Sequence, residues 1–196
     1  MITLNVQEVE GVWCGVAFED KRIFATAFAF NEKEAFKGLL RELPVNSVFQ
    51  VAQESDSLAK EVLRAMNDVV DGRHVSLSVE FAMSRLSQYS QRVLRLTSMI
   101  PTGYVSTYGD LAKAAGGSAR AVGRVMATNP FAPLIPCHRV VAADKTLCGY
   151  GGGLRLKWEI LQRENRKHGK IVETKIEGKT LKLFPVSMVR QPRKQE

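Results

Sequence analysis

The sequence predicts a small α/β domain over residues 1–80 and a mainly α domain over residues 81–196 that contains a helix-turn-helix. Three observations carry that reading. Apolar residues alternate at strand spacing through residues 12–30, and two apolar stripes at helical spacing follow before Gly72. From about Ser84 short helices take over, two of them joined by Gly116-Gly117.

In the first domain Val12, Cys14, Val16 and Phe18 alternate along one strand and residues 23–30 form another, with Glu19-Asp20-Lys21-Arg22 as the turn. A small, mostly antiparallel sheet is expected. Asn31 is placed to cap a helix, with Glu34 three residues on completing a capping-box-like pair. Ala35, Phe36, Leu39, Leu40 and Leu43 give that helix an apolar face, and Pro44 stops it. Residues 48–51 read as a short strand. Ser57 or Ser55 opens a second helix, whose stripe of Leu58, Val62, Leu63, Met66, Val69 and Val70 ends at Asp71-Gly72. No group of residues here suggests chemistry, so the expected role of this domain is scaffolding.

In the second domain Tyr89, Val93, Leu94, Leu96 and Ile100 share one helix face, closed by the turn signal Pro101-Thr102-Gly103. A helix over residues 107–115, the Gly116-Gly117 turn and a helix capped by Ser118 over residues 119–127 have helix-turn-helix spacing; an ordinary helical hairpin has the same outline. Ala119 and Gly123 lie four apart on the second helix, which costs helix propensity but lets that face approach another surface closely. Arg120 and Arg124 are present without Asn, Gln or Ser to read base edges, a chemistry suited to a phosphate backbone and a shallow groove.

Beyond Val140-Val141, four glycines surround Tyr150 in Gly149-Tyr150-Gly151-Gly152-Gly153, giving a backbone that can press against a ligand. The run lacks the lysine-serine ending of a triphosphate-binding loop. Residues 154–165 read as a helix with Leu156, Ile160 and Leu161 inward and Lys157 and Glu164 on nearby turns. Residues 170–184 read as a hairpin turning at Glu177-Gly178, with Ile171, Thr174 and Ile176 paired to Thr180, Leu181 and Leu183. A basic tail with Arg190, Arg193 and Lys194 is expected to be mobile.

The net charge of +8 is uneven: residues 1–80 carry 8 Lys/Arg against 13 Asp/Glu, and residues 81–196 carry 20 against 7. Such asymmetry points the second domain at a polyanion, a basic surface without a partner being the plainer alternative. No stretch approaches bilayer-spanning length, and Met1-Ile2-Thr3-Leu4-Asn5 does not open a signal peptide. Three cysteines do not make a disulfide framework. A cytoplasmic protein without membrane contact is expected. The first domain offers Cys14 and His74 where a zinc site needs four ligands, so no metal and no cofactor are expected.

The stretch Ile135-Pro136-Cys137-His138-Arg139-Val140-Val141 sets a thiol between a rigid proline entry and the start of a buried strand. Arg139 or a protonated His138 would favour the thiolate, the nucleophilic form. A buried, inert core cysteine is the alternative.

Four strings, TGYVSTYGDLA, SARAVGRVMATNP, IPCHRVV and GYGGGLRLKWEILQRE, resemble in order the O6-alkylguanine-DNA alkyltransferases, direct-reversal repair proteins also called methylated-DNA–protein-cysteine methyltransferases. The resemblance spans about residues 85–165. It implies an RNase H-like first domain and a winged-helix-like second domain. It further implies a monomer that flips O6-methylguanine, and O4-methylthymine as well, out of double-stranded DNA through the minor groove. The alkyl group would move irreversibly to Cys137, once per chain, in the cytoplasm or, in a eukaryote, the nucleus. His138 would polarise the thiol through a water and Glu164 would orient His138. Tyr108 would donate to the departing base, Asn129 would tie the recognition helix to the active-site loop, and Arg120 would fill the vacated base stack. Ala119, Gly123 and Arg124 would complete the DNA-binding face, and Met126, Val140, Tyr150, Gly151 and Lys157 would join Tyr108 around the base pocket. Some members carry serine where this chain has Gly151. On the residues alone, Glu164 also reads as a solvated helix carboxylate, Tyr108 as a packing tyrosine, Asn129 before Pro130 as a turn and Cys148 as an idle core thiol. Two rival functions are a non-catalytic alkyltransferase-like lesion binder, in which the cysteine is replaced, and a cysteine hydrolase, which the arginine-bearing helix disfavours.

Overall fold

Three antiparallel strands, β1 (Ile2–Val9), β2 (Val12–Glu19) and β3 (Arg22–Ala29), form the centre of the first sheet. Their two-residue turns place Glu10 and Gly11, then Asp20 and Lys21, at positive φ, the handedness that matches the twist of a hairpin. Asn31 caps α1 (Glu32–Glu42) as expected, accepting from the Glu34 N–H at 3.0 Å. Ala35 and Leu39 on α1 are buried, Leu39 in a core with Ile2, Leu4, Ala17 and Ala25. The edge strand β4 (Phe49–Val51) joins β1 in parallel. Ser57 starts α2 (Ser57–Val70) as expected, and Asp56 before it caps the helix, its carboxylate accepting from the Ala59 N–H at 2.7 Å; Ser55 lies outside the described residues. A second parallel edge strand, β5 (Glu80–Phe81), completes the order β4-β1-β2-β3-β5.

The computed structural model describes residues 1–52, 56–166, 169–176 and 178–191. The chain divides into two units, one of residues 1–70, 74–85 and 130–134, the other of residues 71–73, 86–129 and 135–196. In the first unit Arg85, which the sequence did not single out, donates to the carbonyls of Glu42 (2.6 Å) and Phe24. Its guanidinium also lies over the rings of Phe24 and Phe131. The stretch 130–134 is held there by Thr26, whose N–H donates to Pro130 and whose hydroxyl donates to Ala132.

The second unit comprises α3 (Gln88–Ser98), β6 (Tyr104–Thr107), α4 (Tyr108–Ala115), α5 (Ala119–Ala127), β7 (Val140–Val141), α6 (Gly153–Glu164), β8 (Val172–Ile176) and β9 (Lys179–Pro185). The predicted α4–turn–α5 arrangement is present, with Gly116 and Gly117 at positive φ and the Ser118 hydroxyl accepting from the Ala121 N–H. The second domain, expected to be mainly α with a buried strand after Cys137 and a C-terminal hairpin, holds one strand more than that. This unit holds a four-stranded sheet in the order β7-β6-β9-β8. Its strand β6 was missed because Tyr104-Val105-Ser106-Thr107 is four residues long and its partners lie far off in sequence. Ser106 and Thr107 pair in parallel with Val140 and Val141, and Tyr104 and Val105 pair antiparallel with Pro185 and Phe184.

The C-terminal hairpin is therefore part of this unit. Thr174 faces Leu181, whereas Ile176 faces Lys179 and Val172 faces Leu183, one place off the predicted pairing; Ile171 precedes β8. Glu177 of the predicted turn is outside the described residues, as are Arg193 and Lys194. Arg190 is tied in rather than loose: its N–H donates to Lys145 and its carbonyl accepts from Leu147. Val105, Val141, Leu147, Leu161, Phe184, Val186 and Val189 form one core, so the segment after β9 packs behind the strand that follows Cys137.

Candidate active site

The β6–β7 pairing assembles the site. Pro136 leads into a one-turn 3-10 segment, Cys137–Arg139, that runs directly into β7. On the neighbouring strand Thr107 ends β6 and caps α4, its hydroxyl accepting from the Asp110 N–H at 3.0 Å. Tyr108, the first residue of α4, thus starts beside the strand that follows Cys137. A methyl group added at Gly123 of α5 would meet the Tyr108 ring at 3.9 Å, ordinary van der Waals contact, so α5 lies beside the phenol. The third contributor, α6, carries Lys157 and Glu164 seven residues apart on one face, and both are fully buried.

Cys137 is 6% exposed. Burial pushes its thiol pKa up, opposed by the Asn129 side chain, the Lys157 charge and the backbone amides of Cys137 and His138. The second Asn129 contact fixes its position: its amide donates to the Ile135 carbonyl at 2.9 Å, joining the end of α5 to the loop before the cysteine. The Lys157 ammonium donates to the carbonyls of Val140 (2.6 Å) and Cys148 (2.9 Å) and sits 5.9 Å from the centre of the Tyr150 ring. Burial lowers its pKa, while Cys148 and Cys137 raise it. Tyr150 lies close enough to Cys137 and Glu164 that burial and both of them raise its own pKa.

The expectation that Arg139 or a cationic His138 activates the thiol is corrected by where the two side chains go. Arg139 turns to Glu164, with Nε at 3.0 Å from both carboxylate oxygens and one terminal nitrogen at 2.7 Å from Oε1. Its remaining donors reach the Ile100 carbonyl (2.7 Å) and the Thr102 hydroxyl (3.1 Å). His138 Nε2 lies 3.0 Å from the same Oε1. Burial alone would raise the Glu164 pKa, but His138 and Arg139 outweigh it and hold the carboxyl at about 2. Arg139 is the durable partner, because burial lowers the His138 pKa and keeps that ring neutral. A neutral ring beside an anion must place its proton on Nε2, donating to Glu164. That leaves Nδ1 as a bare acceptor, and this buried atom has no hydrogen-bond partner among the described residues. The site holds a buried thiol next to a neutral histidine whose free nitrogen can take a proton.

The other predicted residues fall in two places. Ala119, Arg120 and Arg124 are exposed on the outer face of α5, with Gly123 half-buried. Met126 is turned inward toward α3, its sulfur 4.0 Å from the Thr97 hydroxyl. Val140 is fully buried and contributes its carbonyl to Lys157. Gly151 is exposed, and a Cβ built on it would meet nothing within 4 Å. Gly151→Ser should therefore leave stability within about 0.5 kcal/mol of the wild type in a thermal melt, as surface substitutions do. Two residues gained roles that the sequence did not suggest. Arg139 is the anchor of Glu164, and Cys148 is half-buried rather than an idle core residue, its carbonyl accepting from Lys157 at 2.9 Å. Cys14 is the inert one, buried and with its pKa pushed up to about 12. Among the described residues no three His, Cys, Asp or Glu side chains converge as a metal site, and no helix is long and apolar enough to cross a membrane.

Residues 88–166 match the family model of the 6-O-methylguanine DNA methyltransferase DNA-binding domain. A methylated-DNA–protein-cysteine methyltransferase of Methanothermobacter thermautotrophicus is 38% identical over 110 residues, 54% of this chain and 60% of that relative's length. One from Methanocaldococcus jannaschii is 30% identical over 157 residues, 80% of this chain and 90% of the relative. A crystal structure of the Mycobacterium tuberculosis protein in complex with DNA superposes with a TM-score of 0.65 at 26% identity, covering 83% of this chain and 92% of that one. The described residues form an α/β architecture with two mixed sheets and six α-helices, which matches that of the Mycobacterium tuberculosis structure. The chain belongs to the methylated-DNA–protein-cysteine methyltransferase family.

Proposed function

We propose that this protein repairs DNA by moving an alkyl group from O6 of guanine, and from O4 of thymine, to its own Cys137. The observation that carries the reading is the buried sequence Cys137, His138 with a bare Nδ1, and Glu164 locked by Arg139. His138 takes the thiol proton, directly or through one water, and Glu164 holds the ring and stabilises the imidazolium that forms. Asn129, Lys157 and the two backbone amides favour the sulfur anion that results. The thiolate attacks the alkyl carbon in line, the carbon–O6 bond breaks, and its electron pair stays with the purine. Tyr108, a phenol held protonated by burial and its sulfur neighbours, donates to a ring nitrogen of the departing base. A thioether is a poor leaving group, so each chain acts once.

On this reading residues 81–196 bind DNA and perform the transfer as a winged-helix-like domain, and residues 1–80 serve as an RNase H-like scaffold. The target carbon lies inside the duplex, so the nucleotide must be flipped out at a few kcal/mol. The exposed face of α5 suits that task. Ala119 and Gly123 permit close approach to the minor groove, Arg124 meets phosphates, and Arg120 replaces the flipped base in the stack. The base then rests among Tyr108, Met126, Val140, Tyr150, Gly151 and Lys157. Monomeric action in the cytoplasm, or in a eukaryotic nucleus, completes the proposal.

Incubation with an oligonucleotide carrying a labelled O6-methylguanine tests it. Label on the protein supports transfer, free methanol would mean hydrolysis, and label left on the DNA would mean binding alone. Arg120→Ala should slow transfer from duplex DNA about tenfold or more, since an arginine contact with DNA is worth about 1–3 kcal/mol. The same variant should react with the free O6-methylguanine base, which needs no flipping, at the wild-type rate.

A further inference from the structure

The repair reaction draws on α5 and leaves the outer face of α3 without a role. Helix α3 carries no Asp or Glu, and Gln88, Gln91, Arg92 and Arg95 follow one another along one face of it at helical spacing. That face forms one wall of a groove of about 220 Å³, and Ile176 at the end of β8 forms the other. Arg92 and Arg95 are exposed. Ile176 pairs with Lys179 across the hairpin, and residues directly opposite one another in an antiparallel ladder project from the same face of the sheet. Lys179, also exposed, therefore stands on the groove side of the hairpin, facing the two arginines. Glu173, the acidic residue described on β8, pairs with Lys182 on the opposite face.

The groove is continuous with the surface that carries α5. A Cβ added at Gly117, in the turn before α5, would come within 2.8 Å of the Tyr89 hydroxyl, so glycine there lets the turn close onto the first turn of α3. The Arg92 guanidinium lies over the ring of the same tyrosine, 5.9 Å from its centre. One tyrosine thus separates Arg92 from the start of α5, where Ala119 and Arg120 are exposed.

Two guanidinium forks, an ammonium and side-chain amides, with no carboxylate on α3 to oppose them, are suited to a row of phosphate oxygens. Resting on the DNA-repair reading above, we propose that the groove between α3 and the β8–β9 hairpin is a second DNA-contact surface, which takes the phosphate backbone of the duplex held by α5. Arg92 and Arg95 grip the backbone from one side and Lys179 from the other. Such contacts carry no sequence information; they fix the duplex in place and lengthen the footprint beyond the lesion. They hold the DNA while Arg120 exchanges with the flipped base.

The test measures the affinity of the full chain for an O6-methylguanine duplex over a series of salt concentrations. Each phosphate contact adds about 0.9 to the slope of log affinity against log salt, so Arg92→Ala, Arg95→Ala and Lys179→Ala together should make the slope shallower by about 2.7. Each single variant should supply about a third of that change. The three side chains are exposed, so the variants should fold and melt near the wild type. Lys60→Ala, which removes an equal charge from an exposed site on α2, should keep the wild-type slope. Trimming the duplex toward the lesion should bring wild type and triple variant together, because the short duplex no longer reaches the groove. A wild-type slope in the triple variant, or an equal change in Lys60→Ala, would overturn the second surface. Loss of self-association with DNA affinity intact would assign the groove to a second copy of the chain and overturn it as well. A wild-type chain without affinity for the duplex would overturn the DNA-repair reading and the groove with it.

Discussion

Cys137→Ser should fold, bind lesion-containing DNA and accept no alkyl group. The serine hydroxyl is smaller than the thiol and fits the same cradle, where the Asn129 side chain and the backbone of Cys137 and His138 favour negative charge at the side chain. The cost in stability should stay near about 1 kcal/mol, the worth of a hydrogen bond rearranged in place. Reactivity is another matter. A neutral imidazole can take a proton from a thiol, and the thiolate is the nucleophile. An alcohol is far too weak an acid for His138 to ionise it toward an alkyl carbon that carries no developing oxyanion. Gel shift with an O6-methylguanine duplex should match the wild type, with the label retained on the DNA. Transfer by the serine variant at the wild-type rate would remove Cys137 from the reaction.

Replacing Glu164 should give the largest loss of stability of any single change at the site. Its two oxygens hold the Arg139 guanidinium and the His138 ring together, and both it and His138 are fully buried. Glu164→Ala strands a buried cation with the Ile100 carbonyl and the Thr102 hydroxyl as its only remaining partners among those contacts. Breaking one side of a buried ion pair costs about 3–5 kcal/mol, which should appear as a lower midpoint in urea at unchanged slope.

The pH dependence follows with a definite sign. The Glu164 carboxyl is held at about 2 against an ordinary 4.5, so it contributes stability fully above pH 4.5 and loses it as pH falls toward 2. At about 1.4 kcal/mol per pH unit that amounts to roughly 3 kcal/mol. His138 acts in the same direction from higher pH. Its folded pKa lies below the ordinary 6.5, so folding is favoured above 6.5 and loses this support as the unfolded ring gains its proton below that point. Melting temperature should fall in two stages below pH 6.5, and Glu164→Gln should remove the lower stage. A melting temperature that rises on acidification through this range would contradict the assignment.

What the sequence made legible was local. Asn31 caps α1 through the N–H three residues on, Gly116 and Gly117 take the backbone conformation a tight turn needs, and Pro136 sets Cys137 before a buried strand. Each is decided within a few residues. What stayed hidden is long-range. Strand β6 is four residues whose partners lie at Val140-Val141 and near Phe184, and no periodicity reports a pairing across such distances. The pairing of the C-terminal hairpin with β6 stayed hidden for the same reason. Arg139 stands next to His138 in sequence, which made it look like an activator of the thiol. Its direction was set by Ile100, Thr102 and Glu164, residues 25 or more positions away. Cys148 gained a partner in Lys157, nine positions on, whose ammonium donates to its carbonyl.

The central claim is that Cys137 is both the nucleophile and the final resting place of the group. Mass spectrometry of the protein after exposure to excess O6-methylguanine duplex tests it most directly. Each chain should gain one methyl group, on the peptide that contains Cys137, and an equal amount of guanine should be restored before the reaction stops. Repair of more lesions than there are chains, or a methyl group found on Cys148 or Cys14 with Cys137 unmodified, would contradict it.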